Sequence, residues 1–129
     1  MLNDPLANVL SKIMNAEKVG IKKIKIKPAS KLIKEVLKIM NEEGYAGSFN
    51  ETEDKKGNIL TINLLGNINK CNVIKPRYPV KSEDYEKYEK RYLPAKDFGV
   101  LIVSTTKGIM THNQAKEKNL GGKLLVFVY

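Results

Sequence analysis

The stretch Gly99–Lys116, GVLIVSTTKGIMTHNQAK, restricts what this chain can fold into more than any other part of it. The apolar run from Val100 to Val103 meets three consecutive hydroxyl residues, Ser104, Thr105 and Thr106, and then Lys107 and Gly108. A short apolar run of this kind reads as a strand covered on both faces. Two more apolar residues, Ile109 and Met110, lead to Thr111, which with Gln114 matches a capping box for a helix running through Lys118. The pattern predicts a buried strand, a hydroxyl-rich turn and a short helix. Hydroxyls beside a lysine can donate to phosphate and ribose oxygens, while a glycine lets the backbone come close. The bland alternative is an ordinary strand-to-helix turn rich in Ser and Thr.

The rest of the chain reads as alternating small elements. Asp4 suits an N-cap and Pro5 a first helical turn, followed by an apolar stripe of Leu6, Val9, Leu10, Ile13 and Met14 that Gly20 ends. Ile24 to Lys27 alternates with period two, as a half-buried strand does. Pro28 stops it, Ser30 caps a second helix with Leu32, Ile33, Val36, Leu37, Ile39 and Met40 on its buried face, and Gly44 closes that helix. Tyr45 to Glu53 and Asn58 to Leu65 read as strands joined by the turn Asp54–Gly57. Beyond Gly66 come a strand over Lys70–Lys75, the extended segment Lys75–Pro79, and a helix over Ser82–Tyr92 that places Tyr85, Tyr88 and Tyr92 on one face. That face is expected to pack, with base stacking as the minority alternative. Strands over Phe98–Val103 and Lys123–Tyr129 complete the chain. The expected fold class is α+β in two small lobes: an N-terminal α-β-α-β-β lobe over residues 1–66, and a C-terminal lobe, mostly β with short helices, over 67–129.

Charge narrows the partner. The 129 residues carry a formal net charge of +9, and the larger share of the excess lies in the second half. Such a balance favours a polyanion, nucleic acid first and an anionic membrane second. A lysine-rich solvated surface, or a basic adaptor that docks an acidic protein, fits charge alone equally well. The single cysteine, Cys71, excludes an internal disulfide and reads as a small core residue. No apolar run approaches a membrane span and no signal peptide is recognisable, so a cytoplasmic protein is expected.

Several of these residues together resemble a family. Gly99, the apolar pair before Ser104-Thr105, Gly108, Ile109-Met110 and Ala115-Lys116 match, spacing included, the signature of the eighth universal small-subunit ribosomal protein. The opening Asn3-Asp4-Pro5-Leu6-Ala7 with Asn15-Ala16, and the closing Gly121-Gly122 before an apolar strand, are similar to the two ends of that family. The insert Ser82–Lys96 resembles the archaeal and eukaryotic branch. Thr106 stands where bacterial members often have Ser, and His112 where many members have an acidic residue. The resemblance implies a structural RNA-binding protein. In that family the hydroxyl loop contacts an irregular helix in the central domain of small-subunit rRNA, so Ser104, Thr105, Thr106 and Lys107 are implied to do so here. Both lobes are expected to contact that RNA and to support subunit assembly. Implied partners are small-subunit rRNA and neighbouring small-subunit ribosomal proteins, with the chain's own messenger as a further candidate target.

Further candidate RNA contacts follow from residue chemistry. Gly108 belongs with the loop, and Gly121 and Gly122 permit close approach of another backbone, either RNA or a neighbouring loop. Asn3, Asp4 and Pro5 open the first helix, whose N-terminal amides suit a phosphate, although Asp4 can equally be a plain N-cap. Lys31 starts the second helix, Lys55 and Lys56 sit at the hairpin tip, and Arg77 lies among prolines. Each can be a phosphate contact or simply solvated.

Catalysis finds no support. Ser104 to Lys107 fits S-x-x-K, but the accompanying S-D-N and K-T-G elements are missing. His112, the only histidine, is expected at an exposed first helical turn with no acidic partner that spacing identifies. The acidic pairs Glu42-Glu43 and Glu83-Asp84 read as solvated, no cluster has metal-ligand spacing, and no glycine-rich phosphate loop appears. The expectation is a non-enzyme without cofactor or metal.

Overall fold

The computed structural model describes residues 5–26, 31–54, 57–75, 77–95 and 98–129. The chain divides into two compact units, Met1–Ile68 and Asn69–Tyr129. The fold is α+β, with the helices laid against two antiparallel sheets.

In the first unit, α1 (Pro5–Val19) buries Leu6, Val9, Leu10, Ile13 and Ala16, one stripe at helical spacing. Gly20 ends the helix at φ 77°, and the Ile21 N–H donates to the Ala16 carbonyl at 2.9 Å. This is a Schellman ending, which needs a residue tolerant of left-handed backbone. α2 (Lys31–Glu42) stops in the same way at Gly44. Its buried face is Ile33, Val36, Leu37, Ile39 and Met40. Strands β1 (Lys23–Ile26), β2 (Ala46–Asp54) and β3 (Gly57–Leu64) form a sheet in the order β1-β3-β2. Along β3, Leu60, Ile62 and Leu64 alternate into the core, each contributing about 2 kcal/mol by leaving water. The register Asp54↔Gly57 fits the expected turn, while Lys55, Lys56 and the Ser30 cap lie outside the described residues.

The second unit is built on β4 (Cys71–Val73), β5 (Pro79–Val80), β6 (Val100–Thr105), β7 (Gly108–Thr111) and β8 (Gly122–Val128). β8 pairs with β4, β5 and β6, and β7 pairs with β6 on its far side. Leu101, Val103, Leu124 and Phe127 enter one core cluster with Tyr85, Leu93, Met110 and Ala115. Val100, Ile102, Val126 and Val128 are buried as well, so both faces of the two central strands are covered, as their unbroken apolar runs imply. Cys71 is buried on the edge strand β4. The fully buried Tyr85 donates its hydroxyl to the Leu120 carbonyl at 2.9 Å, which satisfies its polar end.

Some details differ from the sequence expectation. The helix after Ser82 is α3 (Tyr85–Tyr92), because Ser82–Asp84 form a turn in which the Asp84 N–H donates to the Lys81 carbonyl. Its tyrosines do pack: Tyr88 lies against Tyr78 and Tyr92 stacks on Phe127. Ser104–Gly108 is not a strand-to-helix turn. Ile109 and Met110 belong to a further strand, so the hydroxyl residues form the tip of the β6–β7 hairpin. The short helix, α4 (His112–Glu117), follows that strand directly. Its capping box is present, with Thr111 Oγ1 accepting from the Gln114 N–H and Gln114 Oε1 accepting from the Thr111 N–H, both at 3.2 Å. The largest correction concerns His112. It is 3% exposed rather than solvated, its ring held between the Leu101 N–H of β6 and the Glu89 carboxylate of α3.

Candidate nucleic-acid interface

The hairpin tip is built by its own middle hydroxyl. Thr105 pairs with Gly108, leaving Thr106 and Lys107 as a two-residue connection. Thr105 Oγ1 donates to the Gly108 carbonyl at 2.8 Å and accepts from the Lys107 N–H at 3.1 Å. Gly108 has φ 116°, a left-handed conformation that a side chain at this corner would strain. Thr105 therefore holds the turn, while Ser104, Thr106 and Lys107 are exposed around it.

The neighbouring strand completes the surface. Ser104 is the register partner of Ile109 on one side and of Lys123 on the other. Directly opposed residues share a sheet face, so Ser104 and the exposed Lys123 lie on the same face of the sheet. Among the described residues, no carboxylate is ion-paired with Lys107 or Lys123. Sequence reasoning missed Lys123. Its place opposite Ser104 follows from the β6–β8 register, which a single sequence does not reveal.

The glycine pair has a local explanation. A Cβ on Gly122 would stand 2.1 Å from the Ser104 carbonyl oxygen, and one on Gly121 would stand 2.6 Å from the Val80 carbonyl oxygen. The close backbones are β5 and β6 of the same sheet. The pair thus lets β8 lie tightly behind the hydroxyl tip, and Gly122 is the register partner of Thr105.

The other expected contacts belong to several elements. Pro5 and Lys31 are exposed first residues of α1 and α2, while Asn3, Asp4, Lys55 and Lys56 lie outside the described residues. Arg77 is exposed on the segment leading into β5. The arginine held in a defined pose is Arg91, whose guanidinium lies 5.3 Å from the Tyr78 ring centre and 5.5 Å from that of Tyr92. Burial raises the Tyr92 phenol above its usual pKa, against the opposing pull of Arg91.

A buried polar group lies at the base of the hairpin. His112 Nδ1 accepts from the Leu101 N–H at 3.1 Å, and Nε2 stands 2.9 Å from Glu89 Oε1. Glu89 is itself 8% exposed and also takes a hydrogen bond from Lys116 Nζ. Burial holds the imidazole below its ordinary pKa, the Glu89 charge opposing and Lys116 assisting. A backbone hydrogen bond often favours a charged ring. Here the backbone partner is an N–H, which can only donate, so it holds the neutral form. Both ring nitrogens are engaged, Nδ1 by the Leu101 N–H and Nε2 by Glu89.

Among the described residues, no group of three or more His, Cys, Asp or Glu side chains could hold a metal ion, and no helix is long and apolar enough to cross a membrane. The family model described as Ribosomal protein S8 matches residues 4–129.

Proposed function

The chain belongs to the ribosomal protein S8 family and is a small-subunit ribosomal protein that binds rRNA, and on that premise we propose that its β6–β7 hairpin reads an irregular helix in the central domain of that RNA and supports assembly around it. The observation that carries this reading is the division of labour at the tip. Thr105 is consumed in holding the turn, and Ser104, Thr106 and Lys107 stay exposed beside Lys123. Helical RNA offers ribose hydroxyls and base edges only in its shallow minor groove, where short side chains that both donate and accept are well matched. A hairpin held by its own side-chain bonds has little freedom left to lose on binding. The lysines supply the sequence-independent attraction and the hydroxyls the discrimination. Pro5, Lys31, Arg77, and with them Asn3, Asp4, Lys55 and Lys56, are proposed as additional backbone contacts.

Chemical footprinting of small-subunit rRNA with the purified protein tests this reading. Protection confined to one irregular central-domain helix is expected. Protection spread over unrelated stems, or none at moderate salt, would reject the hairpin as a reader.

A further inference from the structure

We propose that Glu89, on helix α3, is a positioning residue for the RNA-reading hairpin, acting through the buried ring of His112. The inference rests on the proposed role of the hairpin tip.

The argument starts from the backbone. β7 pairs with β6 from Thr105 back to Ile102, where Thr111 is the last partner. One residue further along β6, Leu101 presents an N–H, but the opposite chain has already turned into α4. An unpaired N–H at a fully buried position would be costly. His112 Nδ1 accepts it at 3.1 Å, so a side chain continues the ladder where the strand has stopped. This works only if Nδ1 carries a lone pair. The ring proton must then sit on Nε2, and Glu89 Oε1 lies 2.9 Å from that atom, placed to receive it. The remaining carboxylate charge is met by Lys116 of α4. Glu89 from α3, Lys116 from α4 and the Leu101 N–H from β6 are the groups that face the ring. Glu89 thus selects the tautomer, the tautomer completes the ladder, and the ladder fixes the root of the hairpin whose tip carries Ser104 and Thr106. A reader of shape tolerates errors of only about 0.5 Å in its contacting groups, so a loosened root costs discrimination first.

Charge gives the test its sign. Removing Glu89 makes the protein more positive, which strengthens attraction to any RNA. A loss of binding to the cognate stem alone therefore cannot be a charge effect. Glu89→Gln and Glu89→Ala change the charge equally, but only glutamine can still accept from Nε2–H. The expected result is that Glu89→Ala loses about tenfold in affinity for the central-domain stem, the size of one lost hydrogen bond to a charged group. Glu89→Gln should stay close to the wild-type value, and neither variant should lose affinity for arbitrary duplex. Nitrogen NMR of His112, the only histidine, reads the tautomer directly and without RNA. A wild-type neutral ring protonated on Nε2 supports the proposal, and one protonated on Nδ1 overturns it. Equal stem affinities for the two variants also overturn it. If Glu89→Ala does not fold, the wild-type tautomer and the stem affinity of Glu89→Gln carry the test: a glutamine variant that loses stem affinity while its ring keeps the proton on Nε2 overturns the proposal. A wild-type protein with no stem preference would reject the hairpin reading itself, which separates the two failures.

Discussion

Ser104, Thr105 and Thr106 are adjacent and chemically alike, yet they do different work. Thr105 spends its hydroxyl on Gly108 and Lys107, and the other two face outward. Substitutions should separate these roles. Ser104→Ala and Thr106→Ala should each weaken binding to the cognate stem by about tenfold, with arbitrary duplex binding and the denaturation midpoint unchanged. Thr105→Val keeps the β-branched shape and loses both turn bonds, so it should lower stability by about 1 kcal/mol, read from urea unfolding. If Ser104→Ala weakens all RNAs alike, the outward hydroxyls are not discriminating. Residue identity alone distinguishes none of the three, because the difference lies in which hydroxyl the turn uses. Gly121 and Gly122 teach the same lesson. Their need to be small was legible in the sequence, whereas the Val80 and Ser104 backbones that impose it come from strand register.

Elements with strong local signals were readable, and those defined by pairing were not. α1 and α2 carry apolar stripes and end at glycines, and the Thr111–Gln114 box starts α4 as expected. β7 went unrecognised because a four-residue strand between a turn and a capping box has too few positions to show a period. The missed strand also hid the burial of His112, since an exposed first helical turn is the natural reading when no strand precedes it. Burial has a consequence for stability. The native ring resists protonation, whereas the unfolded ring takes up a proton near its ordinary pKa of 6.5. The unfolded state therefore binds more protons as pH falls below that value, and acid shifts the balance toward unfolding. The stabilisation is complete above pH 6.5 and declines below it until the native ring's own lower pKa is passed. Urea midpoints should fall between pH 7 and pH 5, and His112→Asn, which keeps an acceptor near the Nδ1 position, should flatten that fall. A wild-type midpoint that is level across this range would contradict the buried neutral ring.

At the scale of the whole molecule, the two compact units share a wiring, since in each the last strand of the sheet pairs with strands made before it. In Met1–Ile68 the central strand β3 pairs with β2 through a hairpin and with β1 across the intervening α2 and β2, as in Lys23↔Asn63. In Asn69–Tyr129, β8 is paired with β4, β5 and β6, every one of which precedes it in the chain. Contacts of long sequence separation form late and slowly. A polypeptide is made from its N-terminus at about 5–20 residues per second, so the first unit can close while the second is still being translated. The keystone strand of the second unit leaves the exit tunnel after all its neighbours. Nascent chains stalled before Gly122 should stay open to protease throughout 69–121, and become resistant only once Val128 has emerged. Early protection would mean that β6 and β7 close without β8. The half of the molecule proposed to grasp RNA is thus born unfinished, and acquires its grip only when its last-made strand slides into the middle of the sheet.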